Sequence, residues 1–303
     1  MTDDGTQPRD DGDVAVWARD LGLPGIFDIH VHFMPDAMQQ AVWRHFDGLP
    51  RAWGIRYRTD DEVRLRTLQD LGVVQHTALA YAHRPGVAAW LNEFTMDFAD
   101  RHRGTLPCFT FYPEPGADEY VAAALTRGAK VAKVHLQVGK FDTTDPRLDG
   151  VWQRLETAGT AVVIHAGAVP DGSGGEAWCG MDPVRRLLER WPGLQLILAH
   201  MGAPDYEDAV RLARDFPQLR MDTAMVMVDS RSGFEYPRVL VEWLAESPGK
   251  VLFGSDFPSF PHHFADQVRG IVKQRFGDEW LRRVFWENGA ELFGVGPAAS
   301  PQR

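Results

Sequence analysis

Two histidines, His30 and His32, sit two residues apart in an apolar run that begins at Phe27, just after Pro24-Gly25. Side chains alternate between faces along a β-strand, so these imidazoles and Asp28 share one face, with the histidines about 7 Å apart. A buried strand carries two imidazoles on its inner face only where something there satisfies their nitrogens. A metal ion does so, because neutral imidazole is a common metal ligand. An isolated His-x-His also fits a surface hairpin with two polar residues. Later residues decide between the two. His165 follows Val162-Val163-Ile164, His200 follows Leu196-Ile197-Leu198-Ala199, and Asp256 lies in Gly254-Ser255-Asp256-Phe257-Pro258. His30, His32, His165 and Asp256 together supply three nitrogens and a carboxylate. That set suits zinc, and it tolerates manganese or another divalent ion. Such an ion lowers the pKa of a bound water toward about 7. Asp256 is then the group to take the proton, as a ligand or from beside the metal. His200 is placed to polarise a substrate oxygen or shuttle a proton.

The elements that must position these residues alternate. Strands are predicted over 26–32, 73–80, 106–111, 129–136, 160–165, 194–200, 219–223 and 250–256. Helical patterns fall between them, stopped by glycines such as Gly72, Gly104, Gly128 and Gly159. Asp60 reads as a helix cap, and Asp145-Pro146 as a helix start. Eight βα units with near-continuous apolar strands predict an α/β fold, a parallel (β/α)8 barrel. An open doubly wound sheet is the alternative, but no Gly-x-Gly-x-x-Gly follows a strand to favour it. A barrel places its active site at the C-terminal strand ends. Five of the 11 histidines, including His135, lie at the ends of four predicted strands. Lys133 and His135, on strand four, are expected to line the substrate pocket. The insertion over 33–58, rich in Trp and Arg and including Arg51, reads as a lid. Trp178, after strand five, is a further substrate contact. His76 and His83 read as structural, and His262-His263 fall in the loop after strand eight, either over the pocket or at the surface.

The chain has 303 residues, 44% hydrophobic and 24% charged, which suits one α/β barrel domain over 14–303. A net charge of −10 argues against a general nucleic-acid or anionic-membrane binder, and no apolar run is long enough to span a bilayer. Residues 1–13, acidic and polar, read as a disordered tail rather than a signal peptide. With only Cys108 and Cys179 present, no disulfide framework or zinc finger is available. The expectation is a cytoplasmic protein with two free thiols.

Asp28-x-His30-x-His32, the later His165 and His200, and Gly254-Ser255-Asp256-Phe257-Pro258 resemble the amidohydrolase superfamily. Within it they are most similar to the amidohydrolase-related branch that contains the aminocarboxymuconate-semialdehyde decarboxylase-like enzymes. The closing Glu287-Asn288-Gly289-Ala290-Glu291-Leu292-Phe293-Gly294 is similar to the usual last helix of that branch. The resemblance runs from Phe27 to Gly294. It implies a distorted (β/α)8 barrel and one divalent metal per chain, usually zinc, on His30, His32, His165 and Asp256. It gives His200 a catalytic part or a place on a second metal. Some superfamily members bridge two metals with a carboxylated lysine on strand four. Lys133 is either that residue or a partner for a substrate carboxylate. A small-molecule substrate and a homodimer are further implications. The expected reaction is hydrolysis of a C–O or C–N acyl bond in a lactone, ester or amide. Non-oxidative decarboxylation of an aromatic or dienoic acid is the alternative, and a non-catalytic binding barrel is the third reading.

Overall fold

Eight short apolar runs become parallel strands, and parallel neighbours need a crossover between them, which the intervening helices provide. The structure is a computed structural model and describes residues 7–49, 53–169, 174–229 and 236–296. The strands are β1 (Ile26–Asp28), β2 (Val73–His76), β3 (Cys108–Thr110), β4 (Val131–His135), β5 (Ala161–His165), β6 (Leu196–Leu198), β7 (Arg220–Asp222) and β8 (Val251–Leu252). β1 pairs with β2, and β3 through β8 pair in sequence order, all parallel. Two seams join these ladders into a distorted (β/α)8 barrel. A bridge from His76 to Thr105 links β2 to the approach of β3. A bridge from Val31 to Phe257 links the end of β1 to the loop after β8.

The helices are α1 (Asp11–Asp20), α2 (Asp36–Asp47), α3 (Asp61–Asp70), α4 (Ala88–Arg101), α5 (Ala117–Thr126), α6 (Leu136–Gly139), α7 (Asp149–Ala158), α8 (Met181–Arg190), α9 (Tyr206–Asp215), α10 (Arg238–Glu246), α11 (Phe264–Val272), α12 (Asp278–Arg282) and α13 (Asn288–Phe293). Local chemistry starts several of them. Asp60 caps α3 by accepting from the Val63 N–H at 2.8 Å. Asp145 caps the 3-10 turn Pro146–Leu148 that leads into α7. No helix among the described residues is long and apolar enough to cross a membrane.

Register positions the site. β4 and β5 run side by side so that Lys133 pairs with Val163 and His135 with His165. Every residue of both strands is buried, as a barrel strand covered on both faces requires. Behind them Trp152 stands edge-on to Phe111 and donates from its indole N–H to the Thr143 carbonyl at 2.8 Å.

Three expectations change. Residues 11–13, read as tail, form the first turn of α1. Asp10 accepts from the Gly12 N–H, and Asp11 and Asp13 favour the positive helix start. The insertion over 33–58 contains the regular helix α2 rather than only irregular loop. The strands expected over 26–32 and 250–256 are shorter. β1 ends at Asp28 and β8 at Leu252, and the strand expected over 73–80 stops at His76.

His76 tests the packing at the β2–β3 seam. It is buried, with Nδ1 2.9 Å from the Thr77 carbonyl and Nε2 3.3 Å from the Thr105 hydroxyl. Burial pushes its pKa from 6.5 down to about 4. An unfolded chain takes that proton near pH 6.5, so stability falls as pH drops through this window, by about 3 kcal/mol at pH 4. Urea unfolding at pH 7 and pH 4.5 should show a shallower acid loss for His76→Gln than for wild type. Equal slopes would mean that His76 charges without cost.

Candidate active site

The side chains of His30, His32 and Asp256 sit where the end of β1 meets the loop after β8. The Asp256 N–H donates to the His30 carbonyl at 2.8 Å, and the His32 N–H donates to the Phe257 carbonyl at 2.7 Å. Asp28, buried beneath, accepts from the His30 N–H at 3.1 Å and the Ser255 N–H at 3.0 Å through one oxygen. Gly254 permits the close approach: a Cβ there would lie 2.7 Å from the His30 Cβ. His30, His32 and Asp256 present ligand atoms that all lie within 4.8 Å of one another.

Hydrogen-bond partners assign the tautomers. His30 Nδ1 lies 2.8 Å from Asp222 Oδ2, His32 Nδ1 lies 3.0 Å from the Leu79 carbonyl, and His200 Nδ1 lies 2.9 Å from the Ala224 carbonyl. Each partner is an acceptor, so each Nδ1 carries a proton and Nε2 is the ring nitrogen turned toward the cluster. His32 Nε2 then faces Asp256 Oδ1 at 2.9 Å, and His30 Nε2 lies 3.6 Å from the same oxygen. Two ring nitrogens and a carboxylate oxygen at that separation can be bridged by a proton on His32 or by a metal ion. Ligand atoms on a tetrahedral ion with bonds of roughly 2.0–2.1 Å lie about 3.3 Å apart, which these distances bracket. Burial also strips solvent from His30, His135 and His165 and holds each well below the ordinary imidazole range, in the neutral form. This donor set fits a divalent metal.

His165 stands beside the cluster and outside its tightest group. Its ring stacks on His135 at 3.7 Å, the centroid of His200 is 4.8 Å away, and its Nε2 is buried with no hydrogen-bond partner. His135 has the opposite tautomer. Its Nδ1 accepts from the Val138 N–H at 3.4 Å, so its Nε2 carries the proton and is a donor rather than a ligand. Lys133 is 1% exposed, with Nζ 3.3 Å from His30 Nε2, and burial pushes its pKa down to about 8. His200 leaves β6 in the left-handed region, at φ 55°, which turns its ring back toward His30 at 4.9 Å.

Asp222, at the end of β7, escapes the sequence reading. It is fully buried and takes three hydrogen bonds: His30 Nδ1–H on one oxygen, and the N–H groups of His200 (2.8 Å) and Ala224 (3.1 Å) on the other. The signal was an acid closing a strand, hidden in a run as short as Arg220–Asp222. The second cluster, His30, His200 and Asp222, is accounted for by these hydrogen bonds. Tyr81, also unforeseen, packs on His32 at 5.9 Å and His135 at 5.2 Å. Trp178 is 38% exposed on the turn Glu176–Trp178. His262 is buried against the Phe260 ring rather than on the surface. Arg51 lies outside the described residues.

A family model described as Amidohydrolase matches residues 27–295. No curated protein matches the chain. Among solved structures it is similar to an uncharacterised TIM-barrel protein from Bordetella bronchiseptica, at 14% identity and TM-score 0.68, over 89% of this chain and 98% of that one. It is similar to 5-carboxyvanillate decarboxylase from Sphingomonas paucimobilis, at 18% identity and TM-score 0.64, over 90% and 99% of the two chains. A probable 2-pyrone-4,6-dicarboxylic acid hydrolase from Acinetobacter baumannii aligns at 13% identity and TM-score 0.57, over 89% and 99%. Identities this low speak for the barrel, while the family match spans nearly all of it. The chain belongs to the amidohydrolase family.

Proposed function

We propose that this chain is a metal-dependent hydrolase acting on a C–O or C–N acyl bond of a small anionic substrate such as a lactone, ester or amide. The observation that carries this reading is the convergence of the His30, His32 and Asp256 ligand atoms within 4.8 Å of one another. His30, His32 and Asp256 would hold the ion, zinc or manganese at one per chain, with the unpartnered His165 Nε2 as a fourth donor. A divalent ion supplies a Lewis acid and makes water acidic enough to ionise near neutral pH. Asp256 takes the proton of the attacking water on its carboxylate. His200 directs its Nε2 lone pair toward the same space, set there by its Nδ1–H bond to the Ala224 carbonyl, and relays that proton to the leaving group. Lys133 meets the substrate's anionic group, and His135 donates to it from Nε2. Arg51 and the solvent-facing Trp178 are the further candidates for substrate contact. Asp222 touches no substrate. It fixes the His30 tautomer and the His200 backbone together.

Non-oxidative decarboxylation of an aromatic acid is the second reading. It is favoured by the Tyr81 ring, which leans on both His32 and His135 and offers a face to a planar substrate. The likeness to a carboxyvanillate decarboxylase points the same way.

Elemental analysis of protein purified without chelators should find about one divalent ion per chain. Removing that ion should abolish turnover, and adding it back should restore it. No bound metal, even after reconstitution, would sink both readings. Asp222→Asn should weaken metal binding roughly 10–100-fold with the fold retained, because the carboxylate that orients His30 is lost. Affinity unchanged in that variant would show that His30 needs no orienting acid. Lactone and ester panels assayed beside hydroxybenzoates separate the reactions: carbon dioxide release from hydroxybenzoates alone would replace hydrolysis with decarboxylation.

A further inference from the structure

We infer that Asp11 and Tyr57, both outside the histidine cluster, are positioning residues that hold the Asp256-bearing loop in register with the end of β1. The inference rests on the metal reading above. Asp11, in the first turn of α1, accepts through Oδ2 from the Tyr57 hydroxyl at 2.6 Å and lies 3.2 Å from His263 Nδ1. Through Oδ1 it accepts from the Ala265 N–H at 2.9 Å. The Tyr57 oxygen in turn accepts from the Phe264 N–H at 2.8 Å. One carboxylate therefore ties the N-terminal helix, the insertion after β1 and the loop after β8 into a single knot. Neighbouring bonds extend it. Trp53 Nε1 donates to the Ser259 carbonyl at 2.6 Å, the Arg56 N–H donates to the Phe260 carbonyl at 3.0 Å, and Arg269 donates to the carbonyls of Pro8 and Arg9.

The knot bears on the metal ligands through Phe257. The Tyr57 ring packs on Phe257 at 5.0 Å and on Phe260 at 5.2 Å. Phe257 follows Asp256 in the chain, and its carbonyl takes the His32 N–H. A shift of Phe257 therefore moves the Asp256 carboxylate and the His32 imidazole relative to each other. Asp256 also holds φ at 68°, a conformation that a residue other than glycine keeps only where its surroundings over-determine it. The inner side of the loop is paired to β1, and the clamp closes the outer side. The acidic residues before Val14 thus act on the site they precede by more than a dozen positions in sequence.

The test measures divalent-ion affinity of the full chain, by competition of zinc with a chromophoric chelator, for wild type, Tyr57→Phe and Asp11→Asn. Near-UV circular dichroism checks that each is folded. A control, Thr95→Val, removes a hydroxyl bonded to the Cys108 carbonyl at 2.7 Å, away from the clamp. The two clamp variants should bind zinc roughly tenfold more weakly, in the range seen when groups that orient ligands are lost. The control should lower the melting temperature and leave affinity at the wild-type value. Wild-type affinity in both folded clamp variants, or an equal loss in the control, would overturn the inference while leaving the metal centre standing. A wild-type chain that binds no zinc would remove the metal reading and the inference with it.

Discussion

The site depends on the backbone seam between the end of β1 and the loop after β8. There the Asp256 N–H meets the His30 carbonyl and the His32 N–H meets the Phe257 carbonyl. Side chains hung from paired backbone share its rigidity, so the seam brings His30, His32 and Asp256 together, and side-chain contacts such as His30 to Asp222 then orient them. The same seam links the barrel's last strand to its first, through the Val31–Phe257 bridge. Fold closure and ligand assembly are therefore one event, and disturbing either disturbs the other.

A second constraint follows from burial. Asp28, Asp222 and Lys133 have almost no exposure, and taking ionised groups out of water is expensive unless each is paired. Asp222 answers with three hydrogen bonds. Asp28 satisfies one oxygen and leaves the other without a partner, and burial pushes its pKa up to about 7. His30, His32 and Asp256 converging at the mouth complete a cluster that a bound cation would suit. The physical cost of assembling it lies in burying these polar groups, and the chemistry of the site lies in the same atoms.

Much of the architecture was legible. Apolar runs broken by glycine stops marked the strands and helices, because hydrophobic alternation and capping are decided within a few residues. His30, His32, His135, His165, His200 and Asp256 stood out for a related reason: a barrel puts its chemistry at strand ends, and those ends can be read along the chain. The N-terminal boundary was misplaced because acidity marks a tail and a helix start alike. Only the bond from Asp10 to Gly12 separates the two.

By itself the sequence determined the alternation of elements and the set of residue types able to bind a divalent ion. These follow from short-range rules of geometry and solvation. Tertiary structure decided the pairings. The bond from His30 to Asp222 spans 192 residues, the approach of His32 to Asp256 spans 224, and Asp11 reaches Ala265 across 254. Distances of that order in sequence leave no local pattern, so the tautomer of His30 and the anchoring of the β8 loop exist only once the barrel has closed, whereas His135 is set locally by the Val138 N–H three residues on.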